Sequence, residues 1–375
     1  MAHPVLSPNR MKLGIMAFNC SHGSTVTTAD GAWELRWDRS VELARLADEA
    51  GFEALLPVGR WRGYGGATNF NGQSFETFTW AAGIGASTRR IAVIATVHAP
   101  LVHPVLAAKQ AATVDHITGG RFVLNLVCGW NRPEFDMFGA EFRGHEERYA
   151  YAEEWLALVR RLWREPEAFD HDGAFFHGQG LWSMPKPVQG GDVIVMNAGS
   201  SPTGHRFSAR HCDMNFAMLR QKGFEDDAGQ IAALKTLARA SGRASQCWIH
   251  GYVVCRASEK EAREYLHHYV VERGDDRAAD AMVELFGMTS QTLDPSVLES
   301  FKFHFKAGHG GYPLIGTPEQ IVDQMLTLSR MGVDGILLSW VDYLAEARQW
   351  IDTVMPLMVE AGLREAGRKP EKASA

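Results

Sequence analysis

Apolar bursts of strand length alternate along this chain with longer segments in which apolar residues recur every three or four positions. "KLGIMAF" reads as a buried strand. "DRSVELARLADEAGF" follows as a helix with Val41, Ala44, Ala47 and Ala50 on one face and Gly51 as its stop. The rhythm continues with the strand "EALLPVG", the helix "FETFTWAAGIGAST", the strand "RIAVIATV" and a helix that opens at Pro104 and ends at Gly119-Gly120. "RFVLNLVCG" is the fourth strand. The long helix "HEERYAYAEEWLALVRRLWRE" comes next, with Trp155, Leu158 and Leu162 on one stripe.

Residues 166–191 lose this rhythm and read as an irregular excursion with a short hairpin. It returns in "DVIVMNAG", a helix around "RFSARHC", "MNFAML", "DDAGQIAALKTLARASG", "CWIHGYVVC" and "DGILLSW". Eight strands interleaved with helices predict a (β/α)8 barrel as one elaborated domain over residues 1–375. A charged helical stretch around 256–315 reads as an insertion before the last unit, of the kind that forms lids or subunit contacts. An open doubly wound sheet is the alternative that periodicity leaves standing.

The net charge of -6 argues against a general nucleic-acid surface. Five cysteines without C-x-x-C spacing suit free thiols in a reducing cytoplasm. No segment approaches the roughly 18 apolar residues of a membrane span, and the first residues lack a signal-peptide plan. The expectation is a soluble cytoplasmic protein.

Barrel chemistry gathers at strand C-termini. There the sequence places "GRWRGYGGATNF", the run Thr96-Val97-His98-Ala99-Pro100, "CGWNRPEF" and "NAGSSPTGHRFS". Asn125 interrupts an apolar run, and a buried amide left unpaired costs about 1–3 kcal/mol, so it calls for a partner. Gly199, Ser200, Ser201 and Thr203 have the composition of an anion-binding strand-to-helix turn, and equally that of ordinary helix capping. Arg148 and Tyr149 can add a guanidinium fork and a phenol. The fifteen histidines form no recognisable ligand set with carboxylates or cysteines, so no metal is expected. "GYGG" is neither a P-loop nor a dinucleotide fingerprint, and no G-x-S-x-G elbow follows a strand.

"AAKQAATVDHITGGRFVLNLVCGWNRPEFDMFG" followed by "RYAYAEEWLALVRRLW" resembles the bacterial-luciferase-like flavin monooxygenases, nearest their pyrimidine oxygenase and dimethyl sulfone monooxygenase group. "RGYGG", "SFETFTWAAGIGASTRRI", "FSARHCDMNF" and "LIGTPEQIVDQM" extend the resemblance over nearly the whole chain. It implies a luciferase-like TIM barrel, usually a homo-oligomer (dimer or tetramer). Such a barrel receives reduced FMN from a separate reductase and activates O2, in this subgroup through a flavin nitrogen-5 peroxide. It also implies cofactor contacts from Gly59, Arg60, Asn125, Glu134, Arg148, Tyr149 and Ser201, and an oxygen-side pocket of Leu56, Thr96, Asn125 and Trp130. His98 is the candidate substrate reader, and Cys128 stands where the pyrimidine oxygenase has threonine. The expected reaction is oxidative cleavage of a C–N, C–S or similar polarised bond in a small, heterocyclic or comparable compound. A deazaflavin-dependent dehydrogenase and a non-catalytic flavin-binding protein are the alternatives.

Overall fold

The computed structural model describes residues 3–287 and 294–365. Its strands are β1 (Lys12–Met16), β2 (Ala54–Leu56), β3 (Ala92–His98), β4 (Phe122–Val127), β5 (Phe169–Asp172) and β6 (His177–Leu181). They continue with β7 (Ile194–Asn197), β8 (Met214–Ala217), β9 (Gln246–Cys255), β10 (Tyr312–Gly316) and β11 (Gly335–Ser339). Eight of them close in the order β1-β2-β3-β4-β7-β8-β9-β11, with β11 pairing back onto β1, and every one of these pairings is parallel. The open-sheet alternative is thereby excluded, and the barrel is the (β/α)8 architecture.

Parallel strands covered on both faces need apolar residues at nearly every position. Here Met16, Leu56, Ile94, Val123, Met196, Trp248 and Leu337 fill the interior. Their neighbours Ile15, Leu55, Val93, Leu124, Ile249 and Leu338 pack on the surrounding helices. At Gly14 the wall is too tight for a side chain: a Cβ would lie 2.5 Å from Leu337 Cδ2 and 2.6 Å from the Ala54 carbonyl oxygen. The N-terminal end is plugged by Val5, whose carbonyl accepts from Gln246 Nε2 at 2.8 Å. Beneath it lies a buried ion pair, Arg364 Nη1 to Glu53 Oε2 at 2.8 Å, which links residues far apart in the chain.

Two expectations need correction. The buried face of the helix Trp37–Ala50 carries Leu43, Ala44, Ala47 and Asp48, with Val41 and Ala50 at its margin. Asp48 turns inward because its carboxylate accepts the backbone N–H groups of Arg89, Arg90 and Ile91 at 2.7–2.9 Å. The second correction is β10. Residues 312–316, read from sequence as the end of an insertion, form a strand on the C-terminal half of β9, Tyr312 opposite Gly251 through Gly316 opposite Cys255. Pro313 lacks an N–H and suits an edge strand, but only the long β9 reveals the partner. The described residues between β9 and β10 include the helices Glu259–His267, Asp276–Leu285 and Pro295–Gly308. Residues 169–181 form the antiparallel hairpin β5–β6.

Candidate active site

The C-terminal mouth of the barrel is polar where three neighbouring strands end. Thr96 on β3 and Asn125 on β4 are register partners, and Asn125 Nδ2 donates to Thr96 Oγ1 at 3.0 Å. Thr96 Oγ1 in turn donates to the Pro57 carbonyl beyond β2 at 2.6 Å. This relay decides which end of the amide is free. With the Thr96 proton committed to Pro57, the hydroxyl accepts from Nδ2, and buried Asn125 Oδ1 has no partner among the described residues. Leu56 sits on the same inner wall, buried with Met16 and Ile94.

The turn after β2 is braced by Asn19, whose amide oxygen accepts from Val58 N at 2.8 Å and whose nitrogen donates to the Val58 carbonyl at 2.9 Å. The brace delivers Gly59 and Arg60. Gly59 is required because a Cβ would stand 2.8 Å from His98 Cε1 and 3.2 Å from Thr96 Cγ2. Arg60 Nη1 donates to Glu134 Oε1 at 3.1 Å, and the Trp61 N–H reaches the same oxygen at 2.9 Å. Both charged side chains are almost fully buried, at 4% and 1% exposure, so each depends on the other. Burial opposes the guanidinium charge, but Tyr64 and Glu134 outweigh it and hold the pKa above the ordinary value. The guanidinium carbon lies 5.1 Å from the Trp130 ring centre and 5.5 Å from that of Tyr64. Trp130 also stacks on Phe286 at 4.9 Å. Arg60 Nε and Glu134 Oε2 are buried without partners among the described residues.

His98 lines a cavity of about 20 Å³ together with Thr96, Gly59, Phe75, Phe78 and Val102. Burial, reinforced by the Arg60 charge, pushes its imidazole down to about 3. His250 on β9, bonded through Nε2 to Ser339 Oγ at 2.8 Å, is likewise pushed down by burial to about 3. Both rings are neutral when folded and take up a proton in the unfolded chain below about pH 6.5. Their contribution to stability is therefore complete above pH 6.5. It falls as the pH drops towards the folded value, by about 1.4 kcal/mol per pH unit for each ring. Denaturant midpoints measured between pH 6.5 and 5 should fall steeply, and a flat profile would contradict the neutral-histidine assignment.

A second polar group forms beside the ends of β4 and β7. Ser201 caps the helix Pro202–His211, its hydroxyl accepting from Gly204 N at 3.0 Å, so the capping function is present. The Tyr149 hydroxyl lies so close to Gly199 and Gly204 that Cβ atoms there would stand 2.6 and 2.5 Å from it. The turn is thus bare backbone beneath a phenol. Arg148 lies 4.6 Å over the Phe142 ring, and its Nη1 is buried without a partner among the described residues. Asn197 Nδ2 ties this turn to β4 by donating to the Leu126 carbonyl at 2.7 Å. Cys128 lies between the two groups, its thiol pushed up to about 12 by burial against the opposing pull of Arg148.

The expected residues therefore fall into three sets along one mouth. Leu56, Thr96 and Asn125 belong to the wall, Gly59, Arg60, Trp130 and Glu134 to one rim, and Arg148, Tyr149 and Ser201 to the neighbouring turn. His98 shares a small cavity with Thr96 and Gly59. Sequence reasoning missed the Thr96–Pro57 relay and assigned no role to two residues of the adjoining aromatic cluster, Tyr64 and His309, although Tyr64 lies in the stretch "RGYGG". No group of three His, Cys, Asp or Glu side chains among the described residues could hold a metal ion. No helix among them is long and apolar enough to cross a membrane.

A model of the family described as "Luciferase-like monooxygenase" matches residues 11–335. The pyrimidine monooxygenase RutA of a Bradyrhizobium species is 27% identical over 374 residues, covering 94% of this chain and 99% of that protein. An FMNH2-dependent dimethylsulfone monooxygenase of Pseudomonas putida is 29% identical over 368 residues, covering 91% and 93%. Among solved structures, a riboflavin lyase with modified FMN superposes at a TM-score of 0.84 with 22% identity, covering 95% of this chain and 93% of that one. DmoA from Hyphomicrobium sulfonivorans superposes at 0.83 with 18% identity, covering 96% and 90%. These superpositions match the closed parallel barrel, and the family model spans all but its final strand. With the family model covering most of the sequence, this chain belongs to the luciferase-like monooxygenases.

Proposed function

We propose that the protein is a reduced-FMN-dependent monooxygenase, supplied by a separate flavin reductase. It uses O2 to cleave a C–N, C–S or similarly polarised bond in a small compound such as a heterocycle. The observation that carries this reading is Asn125 Oδ1, a buried acceptor held open by the Thr96–Pro57 relay at the mouth of a barrel of this family. The chain's polar groups fit the cofactor. Gly59, Arg60, Asn125 and Glu134 would meet its ring system, where Arg60 Nε and Glu134 Oε2 also await partners. Its phosphate would lie against Arg148, Tyr149, Ser201 and the bare turn from Gly199 to Gly204.

When bound, reduced flavin supplies the electrons that activate O2. The chain's own part is positioning and exclusion. Asn125 Oδ1 accepts a hydrogen bond and is kept from rotating by Thr96. Leu56 and Trp130 form apolar walls that limit water at the reacting face. The neutral ring of His98 shares a small cavity with Thr96 and Gly59, where it would contact the substrate. A cytoplasmic location accords with five buried, unbridged cysteines.

Stopped-flow mixing of the FMNH2-loaded protein with O2 and a panel of heterocycles, sulfones and amines tests the reading, with 18O2 incorporation followed by mass spectrometry. Labelled product supports it, whereas hydrogen peroxide alone across the panel, or turnover with a deazaflavin under anaerobic conditions, overturns it. The phosphate assignment has its own test. Tyr149→Phe should weaken FMNH2 binding about 10-fold, the worth of one hydrogen bond to a charged group. Unchanged affinity in an anaerobic titration would remove Tyr149 from the site.

A further inference from the structure

Two hollows of about 210 and 400 Å³ lie end to end on the outside of the barrel, along the helices His145–Arg164 and Pro202–His211, and meet at Glu153 and His211. The first begins at Tyr149, the residue whose hydroxyl covers the bare turn from Gly199 to Gly204. The second ends at Arg164 and Glu165, where the long helix stops. Together they make one open groove that leads along the surface to the turn.

Five arginines line it, Arg206 and Arg210 in the first hollow and Arg160, Arg161 and Arg164 in the second. Three carboxylates oppose them, Glu146, Glu153 and Glu165, so the lining is positive in a chain whose net charge is -6. His211 adds no charge near neutral pH, because burial holds its imidazole below the ordinary value even with Glu153 at 3.1 Å.

The guanidinium charges are also largely unspent. Among the described residues only Arg164 of the five forms a salt bridge, to Asp192 Oδ1 at 2.5 Å. Arg206 Nη2 donates to the Thr203 hydroxyl at 2.8 Å and Arg160 Nη2 to the His211 carbonyl at 2.7 Å, neither of them a carboxylate. Arg206 and Arg210, one helical turn apart at the end of the groove nearest Tyr149, are both exposed. Exposed charges anchor a ligand weakly because water screens them at contact. Collected in a groove, they act at longer range: a focused field of one sign raises association rates by about 10–10³-fold.

We propose that this groove is an electrostatic lead-in, which draws reduced FMN from solution by its phosphate and delivers that end first to the turn beneath Tyr149. The inference rests on the reduced-FMN reading of the site. A phosphate monoester carries a charge of about -1.5 to -2 near pH 7, and it is the end of the cofactor that the turn would receive. Reduced flavin is oxidised by O2 while free in solution, so rapid capture preserves its electrons for the bound reaction.

Anaerobic stopped-flow mixing of the full chain with photoreduced FMN reads association and dissociation separately, and reduced riboflavin, which lacks the phosphate, is the control. Between about 0.01 and 1 M NaCl the screening length falls from about 30 to about 3 Å. Association of reduced FMN should slow steeply over that range, while that of riboflavin stays level. Arg206→Glu combined with Arg210→Glu should slow FMN association about 10-fold at low salt, with the dissociation rate and the reoxidation of bound flavin by O2 as before. Salt-independent association, an unaltered association rate in the double variant, an effect confined to dissociation, or equal slowing of riboflavin overturns the proposal. Failure of reduced FMN to bind the unsubstituted protein would sink the cofactor reading, and this inference with it.

Discussion

Asn125→Ala is expected to lower productive oxygenation by about 10²–10³-fold, the usual loss when one preorganised hydrogen-bonding group is removed from a reacting centre. The fold should survive. Thr96 keeps its bond to the Pro57 carbonyl without Asn125, and the substitution removes an unpaired buried acceptor together with one made hydrogen bond. These changes oppose each other, so stability should move by no more than about 1 kcal/mol. Thr96→Val provides the companion test because Thr96 acts on Asn125 rather than on the reacting atoms. Losing the hydroxyl frees the amide to rotate, which should reproduce part of the defect. Single-turnover 18O incorporation reads both variants, and an unchanged yield and rate in Asn125→Ala would place the amide outside the chemistry.

Arg364→Met should destabilise the protein by about 3–5 kcal/mol, the cost of leaving a buried carboxylate without its counter-ion. Glu53 and Arg364 are each 4% exposed. Glu53 Oε2 also accepts the Leu13 N–H at 2.8 Å, while Arg364 donates to the Met11 and Gly51 carbonyls at 3.1 and 2.6 Å. The pair therefore anchors the end of the described chain to β1 and to the strand that follows Gly51. The double variant Glu53→Gln, Arg364→Met removes the stranded charge and should be milder than Arg364→Met alone. Guanidinium unfolding followed by tryptophan fluorescence measures both. A loss below about 1 kcal/mol in the single variant would show that Ser7, Asn9 and Leu13, which also donate to Glu53, suffice to hold it.

Much of the candidate site could be read in one dimension because its residues stand at breaks in a regular pattern. Asn125 interrupts an apolar strand, and Gly59 and Arg60 follow another. Ser201 opens a helix after a Gly-Ser turn. What escaped depends on contacts between distant segments. Thr96 belongs to the pocket that the resemblance implies, but its relay appears only when Pro57 and Asn125 converge on its hydroxyl. Tyr64 and His309 lie 245 positions apart, and only packing against Phe70 and Phe305 places them together.

The sequence by itself determined the alternation of strand and helix, and with it the barrel strands. Burial on both faces of a parallel wall demands continuous apolar runs, and helices covering that wall demand their own period. It also marked Asn125 at the mouth, since a buried amide in such a run needs a hydrogen-bond partner that apolar packing does not supply. Only the tertiary structure decided the free end of Asn125, the cavity that seats His98 beside Thr96, the pairing of β10 with β9, and the aromatic roof. Each of these is set by a partner far away in the chain, and neither local propensity nor hydrophobic period encodes the identity of a distant neighbour.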